Sequence, residues 1–164
     1  MEPAAHPLTS RYVTFRVEGQ LFGISLDSVV RIERAAAVTP LPGGPACLLG
    51  ALNHRGRILP VLDLRRRLRF PTRPLDPEDH FLLVRCRLRV VVVPVDRVEG
   101  IRPAGPLTPP GEVVAAPLGI EGLVAAEEGL LLVHDAERIL DPSDEVDFEA
   151  ALAGAGPASF EPAP

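Results

Sequence analysis

The side chains that could perform chemistry are few and stand far apart in the sequence. The four histidines lie at positions 6, 54, 80 and 134, and none belongs to an HExxH motif or a paired His/Cys spacing that would offer several ligands to one metal. His134 beside Asp135 resembles a base with an orienting carboxylate, but no serine or cysteine stands at a spacing that marks a nucleophile. These residues predict no metal site and no cofactor. Two interpretations of His134 stay open: a base in an enzyme, or a structural histidine at the end of a strand.

The clustered arginines of the run RRRLR, at positions 65 to 69, form a second candidate site, one that could bind phosphates. Such a cluster offers phosphates an attraction that does not depend on base sequence. However, the chain has no Trp, one Tyr and six Phe, so the aromatic stacking surface of single-strand binders is missing. The run is therefore interpreted either as a solvated basic strand end or as part of a small nucleic-acid-binding β-barrel.

Length and composition predict one self-sufficient domain. The chain has 164 residues, 46% of them apolar and 24% charged, and a chain of this size buries about 70% of its unfolded surface. No apolar run approaches the length of roughly 18 residues needed to span a membrane. The first residues, MEPAAHPLTSR, lack the pattern of a secretory signal, which predicts a cytoplasmic protein. Cys47 and Cys86 fit that location as buried thiols, although one disulfide is the alternative.

Charge is distributed unevenly along the chain. All 17 basic residues are arginine, and residues 1–104 hold 16 of them against 10 acids, a net charge of +6. Residues 105–164 hold one arginine and 12 acids, a net charge of −11. Such polarity can orient a protein within an assembly, and a merely solvated acidic half is the alternative interpretation.

Period-two alternation predicts strands in the first half of the chain. YVTFRV and the following Phe22–Leu26 alternate apolar with polar residues and predict a first hairpin, after which Asp27 is expected to cap a helical turn through residues 28–30. Pro45 suits a helix first turn, so ACLLGAL is predicted to form a short helix ending near Asn53. ILPVLDL at 58–64 reads as a strand, and its Pro60, which has no N–H, predicts an edge position or a bulge.

The second half is expected to add two hairpins and short helices. FPTRPLDPEDH at 70–80 predicts an exposed loop, and the runs FLLVRCR and RVVVVPV predict a hairpin covered on both faces. IEGLVAAEEGLLLVH predicts a hairpin turning at 127–129, followed by a turn capped by Asp135 and a C-terminal helix over 142–154. The ends, 1–10 and 155–164, are expected to be flexible and disordered. The fold class is all-β with a few short helices, and the predicted core comprises Phe15, Phe22, Ile24, Val61, Leu62, Val91, Val93, Leu123 and Leu131.

Four blocks in a fixed order carry a family resemblance. YVTFRVEGQLFGISLDSVVRI, GALNHRGRILPVLDLRRRL, VVVVPVDRVEGI and IEGLVAAEEGLLLVHDAERIL together resemble the CheW-like coupling domain over roughly residues 11–141. The positions that match the family pattern are Gly23, Ile24, Leu26, Val29, Ile32, Gly50, Asn53, Arg55, Gly56, Pro60, Val61, Asp63, Leu64, Val95, Asp96 and Val98.

The resemblance implies two small intertwined five-stranded β-barrels around a shared core, and a non-enzymatic adaptor of bacterial chemosensory arrays. Such an adaptor grips the cytoplasmic tip of a methyl-accepting chemoreceptor with one surface. With another it pairs with the regulatory domain of a CheA-type histidine kinase. The resemblance places the protein in the cytoplasm, in an array that receptors hold beneath the inner membrane, with no nucleic acid bound.

The resemblance also implies two groups of partner-binding residues. Val29, Arg31 and Ile32 are expected to line a groove for a helical partner, since an apolar pair beside a charge suits a helix in a groove, with Val29 and Ile32 as plain core residues the alternative. Asn53, His54, Arg55 and Gly56 are expected to form a turn from which Arg55 projects, with a local structural role for Arg55 as the alternative. Arg31 stands where the family usually has Glu, and His54 where it usually has Leu, so a motility receptor and a receptor of a pilus-type or other pathway are both open as partners.

Overall fold

The computed structural model of the chain describes residues 11–103, 105–112 and 119–155, and strands dominate these residues. The strands are β1 (Arg11–Val17), β2 (Gln20–Ser25), β3 (Val29–Arg34), β4 (Leu48–His54), β5 (Arg57–Leu62), β6 (His80–Cys86), β7 (Arg89–Val95), β8 (Arg97–Pro103), β9 (Ile120–Ala126) and β10 (Gly129–His134). Two α-helices, α1 (Leu64–Arg67) and α2 (Pro142–Ala155), and three single 3-10 turns complete the described elements. The predicted flexible residues 1–10 lie outside the description, as does the predicted tail apart from Ala155, which ends α2.

The strands form two five-stranded sheets, which confirms the predicted all-β fold class. Sheet 1 has the order β8-β1-β2-β10-β9, and sheet 2 has the order β3-β6-β7-β5-β4. All three predicted hairpins are present, as the antiparallel pairs β1–β2, β6–β7 and β9–β10. The chain begins in sheet 1, builds all of sheet 2 and then returns to sheet 1, so the two sheets are intertwined in sequence.

Each sheet has buried residues on both faces, and in sheet 1 the face away from the shared core packs Leu21, Val124 and Leu131. One apolar cluster takes residues from both sheets, among them Phe22, Leu82 and Val84, while a second cluster within sheet 2 includes Phe81 and Leu83. Consecutive residues of β6 thus alternate between two cores, as expected for a strand covered on both sides. All nine residues of the predicted core are at most 4% exposed, which confirms the strand phases.

The predicted helix ACLLGAL is wrong, because its residues form β4. Gly50 shows why: its φ is 152°, and a Cβ built there would lie 2.1 Å from the carbonyl oxygen of Thr39. Thr39 pairs with the next residue, Ala51, through two backbone hydrogen bonds of 2.9 and 2.8 Å. Close pairing with the Thr39 segment on one side and β5 on the other therefore outweighs helix propensity.

Two smaller expectations also fail. Pro60 does not lie in an edge strand, because β5 runs between β7 and β4. Its partner Ala51 makes both of its backbone hydrogen bonds to Thr39 and therefore needs none from Pro60, which has no N–H to give. The register shift lies in β4, between Leu48 and Gly50, and not at Pro60. Asp27 does not cap a turn through residues 28–30, because the 3-10 turn covers Leu26–Ser28 and β3 begins at Val29.

Helix α2 joins the acidic second half of the chain to the basic first half. Its Phe148 is fully buried in the shared core, and the guanidinium carbon of Arg89 lies 5.2 Å from the centre of the Phe148 ring. Glu145 pairs with Arg87 at 2.9 Å and with Arg89 at 3.2 Å. Here, charges that are separated in sequence meet in the fold, so the uneven charge of the chain does not by itself define two opposite surfaces.

Candidate functional site

The predicted groove residues divide between the two faces of β3. Directly paired residues share a face of the sheet, and Val29 pairs with Val84 while Ile32 pairs with Leu82, both in the core shared by the sheets. A register shift between Val29 and Arg31 makes this spacing of three residues possible. Val29 packs against the shared core, whereas Ile32 is 42% exposed. The apolar pair therefore continues from the core onto the surface.

Arg31 lies on the opposite face, because it pairs with Leu83, a residue of the second core. Glu33 follows on the same face, and the Nε atom of Arg31 lies 3.2 Å from the Oε1 atom of Glu33. The same oxygen accepts a 2.8 Å hydrogen bond from Nε2 of His54, at the end of β4. The structure thus joins Arg31 and His54 through a residue that sequence reasoning missed. The signal for it was the alternation of β3, which places residues 31 and 33 together.

The NHRG turn (residues 53–56) has the geometry of a two-residue hairpin turn. Arg55 and Gly56 have φ angles of 53° and 85°, both in the left-handed region that a type I′ turn requires. Oδ1 of Asn53 accepts a 3.0 Å hydrogen bond from the backbone N–H of Gly56 and so fixes the turn. Arg55 is exposed at the tip. The positive φ expected at Gly56 is present, and Asn53, predicted only as a partner-binding residue, stabilises the turn.

The basic run at 65–69 is neither a strand end nor a free phosphate-binding stripe. It forms α1 and its end, with the side chain of Asp63 accepting from the N–H of Arg65 as N-cap. Arg66 pairs with Asp63 at 3.3 Å, and Arg67 donates to the carbonyl oxygen of Arg138 at 2.8 Å. Three of the four arginines therefore have partners inside the protein, and Arg69 alone of the run extends into solvent without a described partner.

A network of charged side chains around the buried Arg65 lies where the chain passes from sheet 2 back to sheet 1. Arg65, whose side chain is 9% exposed, bonds to Glu18 in the β1–β2 turn and at 2.5 Å to Asp96, between β7 and β8. Arg73 reaches the same Asp96 oxygen at 2.8 Å and forks onto Asp79 at 2.7 and 2.9 Å. These carboxylates raise the pKa of Arg73. We call these five residues the junction network, and the sequence blocks gave no sign that they meet.

His134 lacks the surroundings of a catalytic base. It is 1% exposed, and its Nδ1 donates to the backbone carbonyl of Asp135 at 3.0 Å. The carboxylate of Asp135 instead caps the next 3-10 turn by accepting from the N–H of Glu137. Burial lowers the pKa of His134 to about 4, so the ring is neutral at physiological pH. It therefore acts as a packed core side chain.

The remaining reactive groups are dispersed. Cys47 is half-buried and Cys86 is buried, and both are free thiols. Burial, together with the nearby Asp144, raises the pKa of Cys47 to about 11. Among the described residues, no group of His, Cys, Asp and Glu side chains has the geometry of a metal site. No helix within the described part is long and apolar enough to cross a membrane.

Comparison with known proteins identifies the family. The model of the CheW-like domain matches residues 11–143. The chain is 32% identical to Protein FrzA of Myxococcus xanthus, over 86% of this chain and 84% of that protein. It is 30% identical to the chemotaxis protein CheW of Bacillus subtilis, over 80% of this chain and 86% of that protein. The scaffolding protein TtCheW from Thermoanaerobacter tengcongensis has the same fold, with a TM-score of 0.71 at 22% identity, covering 77% of this chain and 88% of that chain. The chain belongs to the CheW-like domain family.

Proposed function

We propose that the protein is a non-enzymatic adaptor that couples the cytoplasmic tips of chemoreceptors to a CheA-type histidine kinase in a chemosensory array. Membership of the CheW-like family supports this role, as do the names of two relatives that cover most of the chain, FrzA and the chemotaxis protein CheW. In this role the protein works in the cytoplasm, in an array attached to the inner membrane through the receptors.

The observation that carries the proposal is the apolar edge of β3 beside a rigid, charged turn. Val30 and Ile32 are 49% and 42% exposed on an end strand of sheet 2. Arg31 lies between them in sequence, and Glu33 joins Arg31 to His54 of the NHRG turn. Exposed apolar side chains beside fixed charges suit a helix that presents an apolar stripe with polar flanks. We assign this surface, the β3 edge with the NHRG turn, to the receptor.

The kinase contact is assigned to a different part of the sheet surfaces. An adaptor that alternates with a kinase domain in a closed ring needs two unlike surfaces on each subunit. The ion pairs between the two halves of the chain place both signs of charge on the outside, as at Arg102 and Glu128, whose side chains are about one-third exposed. Such mixed charges favour an association whose rate falls as salt rises. The RRRLR run has internal partners, so a nucleic-acid-binding function is not proposed.

Reconstitution with purified components tests the proposal. The wild-type protein should bind a receptor cytoplasmic fragment and raise the autophosphorylation rate of the cognate kinase in the presence of that receptor. Arg55→Ala should weaken this coupling while the unfolding free energy changes by less than about 0.5 kcal/mol, because Arg55 is exposed. Arg85→Ala, at an exposed arginine in β6, is the matched control and should bind the receptor as the wild type does.

Three results would contradict the assignment. A wild-type protein that binds neither receptor nor kinase would reject the adaptor function itself. Full coupling by Arg55→Ala would remove the NHRG turn from the receptor surface. Loss of coupling in proportion to global unfolding, measured by calorimetry on the same sample, would show that Arg55 acts through stability.

A further inference from the structure

One carboxylate oxygen connects two strands that are not hydrogen-bonded to each other. Oε1 of Glu33 in β3 lies 3.2 Å from Nε of Arg31 and 2.8 Å from Nε2 of His54 in β4. The side chains of Glu33 and His54 are 28% and 19% exposed, so solvent screens this contact less than it screens a fully exposed pair. Both contacts depend on this one acceptor, and a carboxylate oxygen accepts hydrogen bonds more strongly than the neutral amide oxygen of Gln does.

The Glu33–His54 contact lies between the two end strands of sheet 2. β3 and β4 are the two end strands of the sheet, and the described strand pairs include none between them. The backbone link nearest to this gap joins Thr39, beyond the end of β3, to Ala51 in the middle of β4. His54 lies three residues further along β4, directly before Arg55 at the tip of the turn. The Glu33–His54 contact is therefore a side-chain link between β3 and the turn.

We infer that Glu33 is a positioning residue, which fixes the NHRG turn relative to the β3 edge and thereby sets the geometry of the receptor surface. This inference rests on the proposed function, because the two parts that Glu33 joins are the two parts of the proposed receptor surface. Arg31 and His54 contact the same Glu33 oxygen. They form one unit with Glu33, and its effect on receptor choice is cooperative.

Exchange of the two partners tests the inference. Glu33→Gln and His54→Leu should each weaken binding of the receptor fragment by about three- to tenfold, the range expected when a partly buried hydrogen bond to a carboxylate is weakened or lost. The double exchange Glu33→His with His54→Glu rebuilds the link in reverse and should restore affinity to within about twofold of wild type. Kinase binding, measured separately, should stay unchanged in the two single variants and in the double exchange.

Glu128→Gln is the matched control. Glu128 is also a partly exposed carboxylate shared by two arginines, Arg16 and Arg102, but it lies on sheet 1. It should leave receptor affinity unchanged. Equal weakening by Glu128→Gln would overturn the inference, because it would show a general effect of net charge.

The remaining outcomes also decide the matter. Unchanged receptor binding by Glu33→Gln, in a wild-type background that binds receptor and kinase, would overturn the inference and leave the adaptor function standing. Weak binding by the exchanged double variant would show that the receptor contacts Glu33 or His54 directly. Parallel loss of receptor binding, kinase binding and unfolding free energy would show a purely structural role. Absence of binding by the wild type would reject the proposed function instead.

Discussion

Two charge clusters in this molecule use similar groups in different surroundings. The junction network buries Arg65 against Glu18 and Asp96, where the chain crosses between the sheets. The Glu33 cluster, formed by Arg31, Glu33 and His54, lies at an open end of sheet 2, and its arginine side chain is 45% exposed. The carboxylates of the two clusters have similar exposure, 37% for Glu18, 29% for Asp96 and 28% for Glu33, so the clusters differ mainly in the burial of their arginines. A buried guanidinium that joins separate segments of the chain contributes more to stability than an exposed one, whose contacts water can replace.

The largest expected effect concerns the junction network. Arg65→Met keeps the aliphatic stem and removes the guanidinium, which leaves two carboxylates without their shared partner. We expect the unfolding free energy to fall by about 3 kcal/mol, near the lower end for a broken buried pair because both carboxylates retain some exposure. Chemical denaturation with a two-state fit measures the loss. A fall below about 1 kcal/mol would show that the two clusters do not differ as described.

A second prediction extends the comparison to a buried group without a charged partner. The folded-state pKa of His134 is about 4, below its ordinary value of 6.5, because burial disfavours the charged ring. Unfolded chains therefore take up a proton first as pH falls below 6.5, and stability is lost from there until the pH reaches about 4. The loss should amount to about 2 kcal/mol by pH 5. His134→Gln should reduce this loss between pH 7 and pH 5, and an unaltered pH profile in the variant would contradict it.

The smallest expected effect on stability concerns the exposed cluster. Arg31→Glu places a second carboxylate beside Glu33, but water screens both, so the unfolding free energy should fall by less than about 1 kcal/mol. Receptor preference should nevertheless change, because the charge on the proposed receptor surface is reversed. Parallel binding measurements on several receptors of the host check this. Identical affinities for every receptor, together with a large drop in melting temperature, would make Arg31 a residue of the fold.

Sequence patterns predicted the fold wherever local chemistry and tertiary packing agree. Alternation in YVTFRV and the charged turn at 127–129 specify hairpins by themselves, and those hairpins are present. Prediction failed at β4, where LLGAL reads as helical and a close approach between Gly50 and Thr39 decides otherwise. Thr39 lies eleven residues before Gly50, so no local rule could have paired them. The edge position predicted from Pro60 was wrong for a similar reason, since the backbone hydrogen bonds of its partner Ala51 go to Thr39.

The candidate site was accessible to sequence reasoning only in part. The NHRG turn was identified because it lies in a block that resembles the family pattern and because Gly56 permits the positive φ of a tight turn. Glu33 was missed because its role depends on a hydrogen bond to His54, which lies twenty-one residues away in β4. β4 does not pair with β3, the strand that holds Glu33. The junction network was missed for the same reason, since its members come from four separate segments. Contacts between distant side chains are set by topology, which the motifs did not encode.

The order in which the chain visits its two sheets has a consequence for its synthesis. Sheet 2 is continuous in sequence from Val29 to Val95, so it is complete as soon as that stretch has left the ribosome. Sheet 1 starts with β1 and β2, yet β8, β9 and β10 are made last. The first hairpin therefore lacks its neighbours β8 and β10 until the last strands are made, which leaves both of its edges unpaired. A nascent chain stalled when residue 95 has just emerged from the ribosome should have a protease-resistant sheet 2 and a cleavable N-terminal hairpin.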